Sequence, residues 1–117
     1  MSIVSITGAA GLVGTACAQF FISEGFSVIG IDNDMRRTFF GPDASTISNR
    51  TLLEGIDGYK HVDTDIRDTT CVSKIFEELK RDISIIIHAA AQPSHDWARE
   101  HPLTDFSINA TATLHLL

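Results

Sequence analysis

Short apolar runs, typical of buried strands, alternate along this chain with segments in which apolar residues recur at helical spacing. Residues 2–7 form a short β-branched run that predicts a strand, and residues 26–31 predict a second strand of the kind buried under helices on both faces. Between them, residues 12–24 show helical spacing, and Gly25 is expected to end that helix. The helix face predicted to be buried comprises Val13, Ala16, Cys17, Phe20 and Phe21. The first third of the chain therefore predicts strand–helix–strand.

The alternation continues to the end of the chain. Residues 33–57 are less regular, with a break at Gly41-Pro42-Asp43 and a short helix expected within residues 45–54. Strands are predicted at 59–63 and 83–88. The helix between them covers residues 71–80, is capped by Asp68 or Thr69, and has one apolar face of Val72, Ile75, Phe76 and Leu79. A last helix is predicted from about Leu103, with one side formed by Phe106, Ala110, Thr113, Leu114 and Leu117.

Strands that alternate with helices predict an α/β fold, here a Rossmann-type doubly wound parallel sheet in three layers with right-handed crossovers. The chain has 117 residues, enough for one domain. The last helix ends on Leu116-Leu117, apolar and without a cap. We therefore expect residues 1–117 to be the N-terminal part of a longer protein.

Composition and charge exclude several function classes. The formal net charge is −6, which disfavours a nucleic-acid partner. No stretch approaches the roughly 20 apolar residues of a membrane span, so no membrane partner is expected. The N-terminus lacks the basic region of a signal peptide, and Cys17 and Cys71 show no CxxC spacing. We expect a reduced, cytoplasmic protein without a metal site.

Three glycines at the junction of the first strand and helix carry the strongest chemical signal. Gly8 allows a tight turn out of the strand, Gly11 lets the backbone approach a pyrophosphate at the helix N-terminus, and Gly14 permits close packing of the helix. Three glycines alone are a weak signal, because a turn and a close helix–strand contact would also need them. Asp32, 18 positions past Gly14, ends the second strand where a carboxylate can bond the hydroxyls of an adenosine ribose. Together these features predict a dinucleotide site.

The same region bears on the choice between NAD and NADP. The charge of Asp32 would repel a 2′-phosphate and favours NAD. Arg36 and Arg37 point the other way, because arginine can hold that phosphate. They serve equally well as pyrophosphate contacts or as solvated loop charges. Because Asp32 is fixed at a strand end, NAD is the predicted cofactor.

Five segments in order, residues 7–14, Asp32, residues 65–68, residues 88–91 and Asn109, resemble the extended short-chain dehydrogenase/reductase family. Its NAD-dependent epimerases and dehydratases act on nucleotide sugars. Two further stretches are more specific. Residues 30–37 with 39–41, and residues 90–97, which read Ala-Ala-Gln-Pro-Ser-His-Asp-Trp, resemble the branch of that family that epimerises CDP-linked deoxyhexoses, the CDP-paratose 2-epimerases.

The resemblance implies which residues bind NAD. These are Gly8, Gly11, Leu12, Val13, Gly14, Asp32, Asn33, Arg36, Asp65, Ile66, Ala89, Ala90, Ala91, Gln92 and Asn109. It implies that Asp65 bonds the adenine amino group beside Ile66, that residues 89–91 leave room for ribose and nicotinamide, and that Asn109 helps to hold the active site.

Neighbouring residues have simpler interpretations. Small residues at 89–91 could serve packing alone, and Asn109 could be an ordinary helix polar group. Asp68 is expected to be a helix cap and His88 a satisfied strand-end histidine. Ser94 and His95 are candidates for substrate contact, with an ordinary surface loop as the alternative.

The residues that carry the chemistry of this family are not found in these 117 residues. The resemblance implies a Ser/Thr and a Tyr-x-x-x-Lys motif, in which tyrosine is the general base and lysine lowers its pKa. The single tyrosine, Tyr59, is followed four positions later by Asp63. We therefore expect no catalytic residue here, and a chain that contacts NAD without turnover.

For the complete protein, the resemblance implies a homo-oligomeric, NAD-dependent epimerase that acts at C2 of a CDP-linked deoxyhexose by transient oxidation. A sugar-nucleotide 4-epimerase or 4,6-dehydratase of the same family is the enzyme alternative. A non-catalytic NAD(P) sensor and a purely structural domain are the others.

Overall fold

A computed structural model of the protein describes residues 2–117 as alternating strands and helices. The four strands are β1 (Ile3–Thr7), β2 (Ser27–Ile31), β3 (Tyr59–Val62) and β4 (Ile83–His88). The helices are α1 (Leu12–Ser23), α2 (Met35–Phe40), α3 (Ile47–Glu54), α4 (Thr69–Leu79), α5 (His95–Glu100), α6 (Pro102–Phe106) and α7 (Ala112–Leu116). A 3-10 turn, Pro42–Ala44, follows α2, and a π-helical turn, Ser107–Thr111, joins α6 to α7. In the described part of the chain, no helix is both long and apolar enough to cross a membrane.

All strand pairs are parallel, in the order β3-β2-β1-β4. In the register, Thr7 lies beside Ile31 and His88, and Ile31 lies beside Val62. The carboxyl ends of the four strands therefore meet at one edge of the sheet. The loops that follow them converge there, which is where ligands bind in open parallel sheets.

The helices cover the sheet in two layers. The chain steps from β1 to β2 to β3 in one direction, so right-handed crossovers place α1 and α3 on the same face. The step from β3 to β4 runs the other way and places α4 on the opposite face. The core under α1 and α3 comprises Val4, Ile6, Ala9, Ala18, Val28 and Leu53. The second core comprises Phe39, Ile66, Val72, Ile108 and Ala112. The predicted Rossmann-type fold class is confirmed.

Several local predictions are confirmed by backbone contacts. Gly25 has φ +91° and follows α1, where its amide donates to the Ile22 carbonyl at 3.0 Å and the Phe26 amide donates to the Phe21 carbonyl at 3.0 Å. This is the Schellman pattern that ends many helices. Asp68 caps α4 by accepting a bond from the Cys71 amide at 3.1 Å.

The predicted buried face of α1 is wrong at Val13, Ala16 and Phe20 and right at Cys17 and Phe21, which pack against the core under α1 and α3. Val13 and Phe20 are 61% and 57% exposed, whereas Gly14 and Ala18 are buried. The helix is apolar on most of its circumference, so its sequence pattern did not define one face. Packing decides it: a Cβ at Gly14 would overlap the Gly8 carbonyl oxygen, so this position faces the glycine loop.

The predicted face of the last helix is also wrong. Phe106, Leu114 and Leu117 are 64%, 71% and 99% exposed, whereas Ile108 and Ala112 are buried. The π-helical turn changes the residues per turn in the middle of the segment, so a constant helical period does not describe it. Two short helices, α2 and α5, were not predicted, because six residues are too few to establish a period.

Candidate functional site

A cleft of about 990 Å³, counting the solvent at its mouth, opens at the carboxyl edge of the sheet. Thirteen of the fifteen predicted cofactor-binding residues line it. They are Gly8, Gly11, Leu12, Val13, Gly14, Asp32, Asn33, Arg36, Asp65, Ile66, Ala89, Ala90 and Ala91. The fold thus gathers loops that are far apart in the sequence around one space.

The three glycines of the first loop occupy three different environments. Gly8 has φ +66°, and a Cβ there would lie 2.7 Å from the Ala90 amide nitrogen. A Cβ at Gly14 would collide with the loop rather than with the strand. A Cβ at Gly11 would meet only the Gly8 carbonyl oxygen, at 3.2 Å. Gly11 therefore leaves space on the cleft side for a ligand, which fits a pyrophosphate.

The N-terminus of α1 opens into this space without a partner of its own. Its N-cap residue, Gly11, provides no side-chain hydrogen bond, and its first turn has no acidic residue. The first amides of a helix have no acceptor inside it, and the helix dipole is positive at this end. An anion at the cleft wall formed by Leu12 and Val13 would supply the missing acceptors.

Asp32 faces the glycine loop from the end of β2. Its Oδ2 accepts a bond from the Ala10 amide at 3.1 Å, and its Oδ1 accepts one from the Asp34 amide at 2.7 Å. Each oxygen keeps a lone pair, and the residue lines the cleft. The carboxylate is therefore held in place and can still accept bonds from a ribose diol.

Asp34 organises the segment after β2, a role that the sequence reasoning missed. It adopts a left-handed conformation, φ +59°, which asparagine and aspartate tolerate better than most residues. Its carboxylate accepts bonds from the Ser45 hydroxyl and from the amide and hydroxyl of Thr46. Burial works against ionisation, but these hydrogen bonds outweigh it and hold the pKa of Asp34 below its ordinary value. The contacts tie α2 to the start of α3.

Asp65 lines the cleft, and its carboxylate accepts hydrogen bonds from Arg67. Arg67 donates to it from the amide at 2.8 Å and from the guanidinium at 2.6 to 3.0 Å. Burial opposes ionisation, but the Arg67 contacts prevail, so the pKa of Asp65 is lowered. A bond from Asp65 to an adenine amino group would have to share this carboxylate with Arg67.

His88 is a satisfied strand-end histidine, as predicted. The Thr7 hydroxyl donates to its Nδ1 at 2.6 Å, and its Nε2 donates to the Thr113 hydroxyl at 2.8 Å. The roles follow from the neighbours, because Thr113 donates onward to the Asn109 carbonyl and Thr7 accepts from the Ala90 amide. Burial lowers the pKa of His88. The neutral ring thus joins β1, β4 and the last helix.

Gln92 and Asn109 were predicted to bind the cofactor, but neither lines the cleft. The Asn109 side chain accepts from the Gln92 amide at 2.8 Å and donates to the Gln92 carbonyl at 3.1 Å. The buried Gln92 side chain is occupied by Ser94 and Asp105, to which its Nε2 donates at 3.0 and 2.8 Å. These hydrogen bonds tie the loop after β4 to the segment that carries Asp105 and Asn109. Cofactor binding by Gln92 and Asn109 stays a prediction.

The two predicted substrate residues also lie outside the cleft lining. Ser94 is buried, and its hydroxyl caps α5 by accepting from the Trp97 amide at 3.3 Å. His95 is exposed in the first turn of α5. An ordinary surface loop was the alternative for this segment; the structure forms α5 there, with Ser94 as its N-cap. Direct substrate contact by Ser94 and His95 stays a prediction.

Arg36 and Arg37 separate in the structure. Arg36 lines the cleft, with its guanidinium carbon 4.9 Å from the centre of the Phe40 ring. Arg37 is exposed and does not line the cleft. Of the two, only Arg36 is placed to meet a ligand phosphate.

Tyr59 does not line the cleft; its ring lies beside Gly30 of β2. Its hydroxyl donates to His61 Nδ1 at 2.8 Å, and His61 Nε2 donates to the Asp32 carbonyl at 3.1 Å. Burial, assisted by nearby carboxylates, raises the pKa of Tyr59 above its ordinary value. Gly30 makes room for this ring, because a Cβ there would overlap the Tyr59 hydroxyl. Tyr59 supports Asp32 and is unsuited to be a base.

The remaining lining residues were not predicted as part of the site. They are Ile31, Met35, Phe39, Thr46, Thr64, Pro93 and Ile108. Phe39 packs edge to face with Trp97, with ring centres 5.3 Å apart, so α2 and α5 meet beside the cleft. Apolar residues give no separate sequence signal for a core and for a ligand wall, which is why the five apolar ones were missed.

The sequence matches known families over nearly its whole length. The model of the NAD dependent epimerase/dehydratase family matches residues 4–117. The chain belongs to this family. The expected cofactor, NAD, is the one for which the family is named, and the open glycine loop, the uncapped helix and Asp32 fit it.

Relatives and solved structures agree on the family. The chain is 30% identical to CDP-paratose 2-epimerase of Salmonella typhi over 112 residues, which cover 96% of this chain and 30% of that protein. It is 32% identical to UDP-glucuronate 4-epimerase 3 of Arabidopsis thaliana over 114 residues, covering 97% of this chain and 25% of that protein. A Thermus thermophilus UDP-glucose 4-epimerase, solved with NAD, superposes with a TM-score of 0.73 at 26% identity, covering 97% of this chain and 32% of that one. The chain thus spans about a third or less of the length of these proteins.

Proposed function

We propose that the cleft binds NAD and that the complete protein is a cytoplasmic, homo-oligomeric nucleotide-sugar epimerase. The observation that carries the proposal is the placement of Asp32 opposite the uncapped N-terminus of α1, across a cleft into which Gly11 extends no side chain. This arrangement matches the two ends of an adenosine diphosphate, whose ribose needs acceptors and whose pyrophosphate needs donors.

Each wall of the cleft would hold one part of the cofactor. The amides of Leu12 and Val13 would bond the pyrophosphate, with Arg36 adding positive charge nearby. The Asp32 carboxylate would accept the ribose hydroxyls, and Asp65 with Ile66 would border the adenine. The small side chains at 89–91 would border the second ribose and the nicotinamide.

The proposed reaction is inversion at C2 of the hexose. When bound, NAD would supply the redox chemistry of this inversion, as hydride acceptor and then as hydride donor. The residues described here bind and orient. The proton transfer at the sugar hydroxyl is assigned to a Tyr-x-x-x-Lys pair outside residues 1–117, because Tyr59 is occupied by His61.

A CDP-linked deoxyhexose is the proposed substrate. It is supported by residues 30–41 and 90–97, which resemble the CDP-paratose 2-epimerase branch, and by the 30% identity to the Salmonella typhi enzyme. Identities of 32% to Arabidopsis thaliana UDP-glucuronate 4-epimerases favour a UDP-sugar 4-epimerase as the second candidate.

The test is product analysis by proton NMR. The full-length protein with NAD is given CDP-paratose, UDP-glucose and UDP-glucuronate in separate reactions. We expect inversion at C2 of the CDP sugar and no change in the UDP sugars. Inversion at C4 of a UDP sugar would replace the C2 proposal with the second candidate. Tight NAD binding without any conversion would favour a sensor.

A further inference from the structure

Two carbonyl groups of the glycine loop are held by side chains. The Thr15 hydroxyl donates to the Ala9 carbonyl at 3.1 Å, and Asn49 Nδ2 donates to the Ala10 carbonyl at 2.8 Å. Asn49 reaches the loop from α3, 39 residues further along the chain. Ala10 also donates its amide to Asp32 Oδ2. Side chains therefore fix both backbone polar groups of Ala10.

The peptide between Ala10 and Gly11 is the part of the loop that most needs this support. Gly11 has no side chain to restrict rotation, and it borders open space on the cleft side. The Ala10 carbonyl has no second donor in the described part of the chain. Released from Asn49, this peptide could rotate and present a carbonyl oxygen to the space where the α1 amides face an anion. A carbonyl oxygen there repels a phosphate.

The position of Asn49 depends on the same segment that holds Asp32. The Asp34 amide donates to Asp32, and the Asp34 carboxylate accepts from the amide and hydroxyl of Thr46 at 2.8 and 3.1 Å. Thr46 immediately precedes α3. The Asp32 carboxylate and the helix that carries Asn49 are thus linked through two residues, Asp34 and Thr46.

We infer that Asn49 is a positioning residue for pyrophosphate binding. It keeps the Ala10 carbonyl turned away from the cleft, so that the loop offers only donors to the ligand. Asn49 itself does not line the cleft and acts through the loop. The inference rests on the proposed binding of NAD in this cleft.

Two variants of the full-length protein test it, Asn49→Ala and Asn49→Asp, with Ser48→Ala as the control at an exposed neighbour on α3. Calorimetric titration with NAD and with ADP is expected to show roughly 2- to 10-fold weaker binding for Asn49→Ala, the size of one net hydrogen bond. Asn49→Asp is expected to lose more, because its carboxylate repels both the carbonyl and the phosphates. Adenosine lacks the pyrophosphate and should lose less than about twofold. Ser48→Ala should bind all three as the wild type does.

Unchanged NAD affinity in both Asn49 variants would overturn the inference. Equal losses for adenosine and ADP would also overturn it, because Asn49 would then act on the ribose side or on the fold as a whole. A second measurement needs no ligand: hydrogen exchange at the Ala10 amide should accelerate in Asn49→Ala and stay unchanged in Ser48→Ala. Failure of the wild type to bind NAD would contradict the proposed function, whereas the exchange result would still decide whether Asn49 holds the loop.

Discussion

Asp32 makes hydrogen bonds to three separate parts of the molecule. Its carboxylate holds the glycine loop at Ala10 and the start of the α2 segment at Asp34, and its carbonyl accepts from His61 on β3. The side chain therefore reaches a ligand in a fixed orientation, with little rotamer entropy left to lose on binding. Its negative charge at this position also disfavours a 2′-phosphate.

Replacing Asp32 by alanine should weaken NAD binding and reduce the preference for NAD over NADP. Hydrogen bonds to a charged group contribute about 1.5–3 kcal/mol, so the Kd for NAD should rise roughly 10- to 100-fold. The Kd for NADP should rise less, because a repulsion is removed together with the bonds. Titration calorimetry with both cofactors measures this. Asp63→Ala is the matched control, since Asp63 follows β3 at the same edge, pairs with Arg50 and lies outside the cleft lining. An unchanged NAD affinity in Asp32→Ala would contradict the proposed binding mode.

The helices were predicted unequally well, for reasons that differ from one to another. The end of α1 could be predicted from Gly25 and the start of α4 from Asp68, because each depends on hydrogen bonds between residues close together in the sequence. The buried face of α1 depends on Gly14 meeting the glycine loop, and that of the last helix depends on a π-helical turn. Neither feature follows a constant helical period, so residue spacing did not reveal it.

Gly25→Ala should destabilise the protein by about 1–2 kcal/mol, because an alanine at φ +91° is strained even though a Cβ there meets nothing within 4 Å. Chemical denaturation of the full-length protein measures the change in the free energy of unfolding. Gly55→Ala is the matched control, since Gly55 also ends a helix, α3, but at φ −79°. It should be neutral or stabilising, by up to about 1 kcal/mol. Equal losses in the two variants would refute the conformational argument.

At the scale of the whole molecule, the carboxyl edge of the sheet is held together by polar contacts between distant segments. His88 joins Thr7, 81 residues earlier, to Thr113, 25 residues later. Asn109 ties the last helix to the loop after β4 in the same region. These contacts bring β1, β4 and the last helix to one side of the cleft. The protonation state of His88 therefore affects the stability of the assembled edge.

Stability is expected to fall as the pH drops below 6.5. Burial lowers the pKa of His88 from 6.5, so the unfolded chain takes up a proton before the folded one does. The contribution of His88 is fully present above that pH and is lost on the way down to its lowered pKa. Denaturation curves between pH 8 and pH 5 should show a smaller decrease for His88→Gln than for the wild type. His95→Gln, at an exposed position, should follow the wild type; a His88→Gln curve parallel to it would refute the prediction.

The sequence by itself determined the four strands, the longer helices between them, the fold class, the glycine loop and Asp32. These depend on periodicity, on glycine conformation and on the fixed geometry of a strand–turn–helix unit, all of which are local. Only the tertiary structure decided which faces of α1 and the last helix are buried, that Ser94 caps a helix, and that Asn49 and Asp34 hold the loop. The contacts of Asp34 and Asn49 join residues 11 to 39 positions apart, so they depend on the path of the whole chain. The buried faces and the Ser94 cap depend on how the helices pack.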